Sequence, residues 1–278
     1  MSILLPAWTG DILRRRPCPF LVVRDTGSML ELVDARTRAT VRVPALPGGI
    51  TRVAVHPPSG QLQGLRVLLV ADLIGRVLED LHAAQVLTAW VGTEVPDPAV
   101  VADLMIRRPA DIVDSPAAVE DALVGPVALT VGGAADPAPT DRDGHRLHVT
   151  VGDVRDDRTP RKVADPATLR LMLLATRHER AVTLTDEGVE AADRMLRRWR
   201  GAVAAWSRCA SAPLARSYTD AVHRALDTGL DFARAIALLR SLESDPRVPD
   251  GAKFETVVHL DRTLGLDLVR GLSAVPPS

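Results

Sequence analysis

Apolar residues recur at three- and four-residue spacing in several stretches of this chain, which predicts helices, and alternate in shorter ones, which predicts strands. Leu65 to Leu81 carries Leu69, Leu73 and Val77 on one helical face. Thr185 is placed to cap a longer helix whose seam is Val189, Ala192, Leu196, Trp199, Val203 and Trp206. From Tyr218 to Leu272 the pattern predicts two helices and a closing segment. The first uses Tyr218, Ala221, Val222, Ala225 and Leu226, and Gly229 interrupts it. Asp231 caps the second, which buries Phe232, Ala235, Ile236, Leu239 and Leu242, and Pro246 and Pro249 end it.

The N-terminal half reads differently. Residues 1–28 are irregular, Met29–Val43 predicts a hairpin turning at Asp34-Ala35-Arg36-Thr37, and Pro44–Gly49 is a linker. Strand Thr51–Val55, loop His56–Gln61, helix Leu65–Leu81 and strand Val86–Val91 make a βαβ unit, hence a parallel sheet. Ala99–Ile106 and Pro116–Leu123 predict short helices, and Val127–Val131 and Arg146–Val151 predict strands. Gly132–Gly144 reads as a polar, mobile loop and Gly152–Arg161 as a charged one. A right-handed crossover puts the loop at His56–Gln61 on the carboxyl edge of the sheet, where open α/β folds bind ligands.

Composition narrows the class. The 278 residues are 46% hydrophobic and 25% charged, enough for two domains with ample core. The formal net charge of −1 gives no strong footprint for nucleic acid. No apolar run is long enough to span a membrane. The N-terminus places its arginines after its apolar residues, the reverse of a secretory signal, so a cytoplasmic location is expected. Cys18 and Cys209 are the only cysteines, which excludes a disulfide framework or a thiolate metal site. His145 and His148, with Asp141 and Asp143, do not predict a metal site either, because a strand turns such a pair to opposite faces. Arg194, Arg197, Arg198 and Arg200 lie off the seam of the long helix and predict a solvated face; Trp199 and Trp206, on the seam, predict core.

Two ordered blocks carry a family resemblance. Asp165-Pro166-Ala167-Thr168-Leu169-Arg170, Leu173-Leu174, Arg177-His178 and Leu184-Thr185-Asp186-Glu187 form the first. Ala225-Leu226-Asp227, Leu230, Ala235 and the close Leu264-Gly265-Leu266-Asp267-Leu268 form the second. Together they resemble the helical region that follows the catalytic core of cysteinyl-tRNA synthetases and their mycothiol-ligase relatives, over roughly the last hundred residues. The first helix of the βαβ unit is similar to the family's at Arg66, Val70, Asp72, Arg76, Leu78 and Glu79. The resemblance implies a Rossmann-like α/β domain of class I synthetase type over 1–164 and a helical bundle over 165–278.

The chemistry of that family is not matched. Its H-I-G-H signature stabilises charge on the phosphates of ATP, and here Gln61 and Gly64 replace both histidines. Val55 stands where a zinc cysteine belongs. The lysine loop falls on VGDVRDDRTPRK, Val151–Lys162, with three aspartates and one lysine. The resemblance also implies that the anticodon-binding domain is absent. Losing one transition-state donor costs about a hundred- to a thousand-fold in rate, so losing all of these should abolish adenylation.

The expectation is therefore a catalytically degenerate synthetase-like protein that binds a ligand or a protein partner. The alternatives are a nucleotide-dependent cysteine ligase, acting on tRNA or an amino sugar with altered residues around His56 and Gln61, and a tRNA-binding module. The candidate ligand contacts are His56, Ser59, Gly60, Gln61 and Gly64. Backbone N–H groups before the helix can meet an anion or a ribose hydroxyl. For His56 the plainer reading is a loop histidine satisfied by solvent or backbone. No cofactor and no zinc are expected; an adenine nucleotide is what the fold could accept. Asp153, Asp156 and Asp157 are expected to disfavour a triphosphate.

Overall fold

The computed structural model describes residues 29–43, 48–92, 96–134, 146–159, 163–270 and 272. The expectations for 1–28, for most of the linker at 44–49, for the loop beyond 134, and for His145, Asp141, Asp143 and Lys162 lie outside the described residues.

Strands β1 (Glu31–Val33) and β2 (Thr40–Arg42) form the expected antiparallel hairpin. Asp34 organises its turn by accepting from the Arg36 and Thr37 amides at 2.8 and 3.0 Å. Five parallel strands follow: β3 (Ile50–His56), β4 (Gln85–Val91), β5 (Asp111–Val113), β6 (Leu129–Gly133) and β7 (Leu147–Val151). Their order is β5-β4-β3-β6-β7, which makes the fold α/β and Rossmann-like. Helix α1 (Gln61–His82) links β3 to β4 and starts four residues before the apolar periodicity does. Helix α2 (Pro98–Asp103) links β4 to β5, and the short α3 (Val119–Ala122) precedes β6. Gly132 and Gly133, expected in a loop, end β6 instead.

Alternation along the strands gives the sheet two apolar faces. Ala89 and Val91 of β4 point to the face covered by Val119, Leu123 and Val127. Trp90 points to the other, where α1 and the C-terminal helices complete the main core. Gly152–Arg161 is not simply a loop. It contains β8 (Val154–Asp156), which pairs in parallel with β9 (Val182–Leu184).

The C-terminal half holds α4 (Pro166–Leu174), α5 (Asp186–Trp206), α6 (Arg216–Asp227), α7 (Phe232–Ser244) and α8 (Asp250–Leu264). The caps act as the sequence predicts: Thr185 accepts from the Gly188 amide and Asp231 from the Arg234 amide. Trp199 and Trp206 are core. The segment expected merely to close the chain contains α8. Its last turn ends at Gly265 in the left-handed region, and the Asp261 carboxylate takes the amides of Leu266 and Leu268 at 2.8 Å each. Burial holds that carboxyl above its usual range despite these two donors.

One continuous apolar cluster joins the sheet, α1 and the helical half. A buried polar network crosses the same junction. Arg170 of α4 is fully buried and donates to Asp72 of α1 at 2.9 Å, to Leu264 O and to Leu104 O. Arg76 adds a 2.8 Å bond to Asp72, and the Arg107 amide adds one at 3.2 Å. Burial opposes both charges. It pulls the Arg170 guanidinium below its usual value even beside Asp72, whereas Arg170 and Arg76 outweigh burial at Asp72 and hold that carboxyl below its usual range. An arginine falls from so far above neutrality that the pair stays charged.

Candidate functional site

The strand order reverses direction between β3 and β6, the switch point at which doubly wound sheets open a crevice beyond their carboxyl ends. His56 ends β3, and its register partner on β6 is Gly132. The chain then turns through Pro57, Pro58, Ser59 and Gly60 into α1. Gly60 makes the turn with φ +112°, a conformation an L-residue rarely adopts. No side chain among the described residues caps the helix, and its first intrahelical bond runs from the Gly64 amide to Gly60 O at 2.8 Å. The amides of Gln61, Leu62 and Gln63 thus make up an uncapped helix start.

Four predicted contacts gather on this rim. His56 is half-buried, and Ser59, Gly60 and Gln61 are exposed. Gly64 is different: it is buried, and a Cβ there would lie 3.2 Å from Pro58 O, 3.4 Å from the Pro96 ring and 3.7 Å from Pro57. It is packed under the proline turn. A side chain at position 64 would require the Pro58 carbonyl to give by a few tenths of an ångström.

Two residues that sequence reasoning did not single out as site residues define the other wall. Gln63 accepts from the Val154 amide at 2.7 Å and donates to Gly152 O at 3.3 Å. Fully buried Arg66 donates to Gly152 O at 2.7 Å, Asp153 O at 3.3 Å and Leu173 O at 3.1 Å. Burial pulls its pKa down to about 10, with Asp153 opposing. Their three-residue spacing on α1 was the available signal, since it puts both on one face. Gly152 is locked from the far side, its amide bonded to His178 O at 2.8 Å. The segment after β7 is thus fixed beside the start of α1.

Its charges are largely answered in place. Arg158 binds Asp156 at 2.6 Å and Arg155 binds Asp157 at 2.8 Å, while exposed Asp153 lies beside the helix start within electrostatic reach of Arg66. The arginines of α5 are similarly engaged: Arg194 with Glu190, Arg197 with Asp193 and Arg198 with Glu243. Arg200 departs from the expected solvated face. It is only 15% exposed, pairs with Asp165 and donates to Asp267 O at 3.0 Å. His148 is buried on β7 with its Nδ1 2.7 Å from the Thr130 hydroxyl. Among the described residues, no three His, Cys, Asp or Glu side chains gather as a metal site, and no helix is long and apolar enough to cross a membrane.

No protein-family model matches this chain, and no curated protein matches it.

Proposed function

We propose that this chain is a degenerate relative of the cysteinyl-tRNA synthetase and mycothiol-ligase group that binds a ligand without adenylating it. The observation that carries the reading is the packing at Gly64. The second signature histidine would fall at this position, and the position lies beneath the Pro58 carbonyl. The segment aligned with the lysine loop supports the same reading, because it is built into β8 and tied by aspartate–arginine pairs. The residues that do match the family, Arg66, Asp72, Arg76 and Arg170, are the ones that join the sheet to the helices.

The ligand class that suits the rim is a nucleoside or its monophosphate. Uncapped amides at the start of α1 favour one anionic group. Asp153 beside them disfavours a chain of three phosphates. Two measurements test this. Cysteine-dependent ATP–pyrophosphate exchange should be absent, and turnover within about a hundred-fold of an active synthetase would overturn the reading. In titration calorimetry AMP or adenosine should bind better than ATP. ATP tighter by about ten-fold, or 1.4 kcal/mol, would mean that Asp153 does not act on the crevice. Elemental analysis of the purified chain should find no stoichiometric zinc.

A further inference from the structure

A cleft of about 230 Å³ opens on the α1 face of the sheet, toward its amino-terminal edge and away from the crevice at His56. Its origin is the short crossover between β4 and β5. Helix α2 has six residues, about 9 Å of helix, against the roughly 23 Å of the seven-residue β4 that it would need to cover. The segment from Ile106 to Ala110 closes only the outer side.

The floor is Val86, Thr88 and Trp90, the alternate residues of β4 that face α1. The inner wall is the α1 stripe of Leu68, Ala71, Gly75 and Glu79. Gly75 is informative. Glycine in a helix interior is less favourable than alanine. Yet a Cβ at Gly75 would meet nothing nearer than Val86 Cγ1 at 3.8 Å, so packing does not demand its absence. What the missing side chain provides is room in the cleft.

The charges at the rim do not cancel. Asp72 is answered from behind by Arg170 and Arg76, and Glu79 is answered by Arg107. Arg108 is exposed, lines the cleft and has no carboxylate partner among the described residues. A floor that is apolar apart from Thr88, with one guanidinium at its mouth that has no carboxylate partner among the described residues, suits an apolar body carrying a single negative charge. A dry cavity of about 150 Å³ holds one benzene ring, so this cleft has room for a ring and a short acidic arm.

We infer that the cleft between α1, β4 and the segment 106–110 binds a small aromatic monocarboxylate, its ring over Val86 and the space left by Gly75, beside the edge of the largely buried Trp90, and its carboxylate on Arg108. The site is separate from the crevice at His56 and does not depend on the reading given to that crevice.

The test uses the full chain, with phenylacetate and its uncharged counterpart 2-phenylethanol as probes. Binding is followed by the indole N–H resonance of Trp90, assigned with Trp90→Phe. Phenylacetate should shift that resonance saturably. Arg108→Gln should weaken phenylacetate by about ten-fold, as expected for losing a hydrogen bond to a charged group, and leave 2-phenylethanol unchanged. Gly75→Leu should abolish binding of both. The inference is overturned if the Trp90 resonance does not saturate into the millimolar range, if Arg108→Gln weakens both probes equally, or if a folded Gly75→Leu still binds. Arg108 lies at the surface, so its variant decides the matter even if Gly75→Leu fails to fold.

Discussion

Replacing Asp72 by asparagine should remove a large share of the stability of this protein. The side chain keeps its shape and can still accept from the Arg107 amide. What it loses is the charge facing Arg170, whose side chain is 0% exposed against 1% for Asp72. Arg170 is then a buried cation whose other acceptors among the described residues are the carbonyls of Leu104 and Leu264, each at 3.0 Å. The asparagine amide also turns a donor toward a donor. Breaking a buried pair from one side costs about 3–5 kcal/mol, out of a total that is typically about 5–15. Urea unfolding followed by circular dichroism measures this. With a slope of about 2–3 kcal/mol per molar, the midpoint should fall by about 1–2 M. Asp72→Leu combined with Arg170→Met should regain part of the loss, because the fully buried Arg170 charge is no longer stranded, but not all of it, because Arg76 loses its carboxylate, the Arg107 amide its acceptor, and two carbonyls their donor. A loss below about 1 kcal/mol for the asparagine variant would put the pair in the range of surface salt bridges and refute the reasoning.

Three further outcomes follow from the same geometry. His178 is buried, which lowers its pKa to about 4 against the partial opposition of Glu179, so the unfolded chain takes up the proton first. Stability should decline as pH falls from about 6.5 to about 4, by about 3 kcal/mol in all, and His178→Gln should flatten that slope in urea melts across the window. Gly152→Ala would set a methyl against the Arg180 carbonyl and 2.7 Å from the Ala181 amide, both backbone. A loss of about 1–3 kcal/mol or more is expected in thermal melts, and an unchanged melting temperature would contradict the packing described. Gly64→His should destabilise to a similar degree and, combined with Gln61→His, should restore no cysteine-dependent pyrophosphate exchange.

Much of this fold was legible because its elements carry their own signals. The cap residues Thr185 and Asp231 sit where helices start, and all five predicted apolar positions of α7 are buried. The failures share a cause: the partner was remote in sequence. β8 is a charged tripeptide that becomes a strand only beside β9. β5 is three residues long and rests on β4. The buried side of α8 includes Lys253, Thr256, Asp261 and Thr263, which no hydrophobic template reads as core. Lys253 is nevertheless satisfied by Glu243 O at 3.1 Å and by the Trp206 ring at 5.6 Å. At the candidate site the sequence located the rim from His56 to Gln61. It could not show that Gly64 is closed off, because that depends on the fold of the proline turn above it and on Pro96.

The hairpin of β1 and β2 also bears on how the chain is made. Leu30, Leu32 and Val43 are each 0% exposed, and Glu31 is bridged to Thr228 and accepts from the Gly229 amide at 2.9 Å. A ribosome that adds about 5–20 residues per second needs roughly 10–40 s to travel between those two contacts. For that interval the apolar residues of the hairpin lack their final neighbours. They stand exposed to chaperones and to other nascent chains until the loop between α6 and α7 arrives.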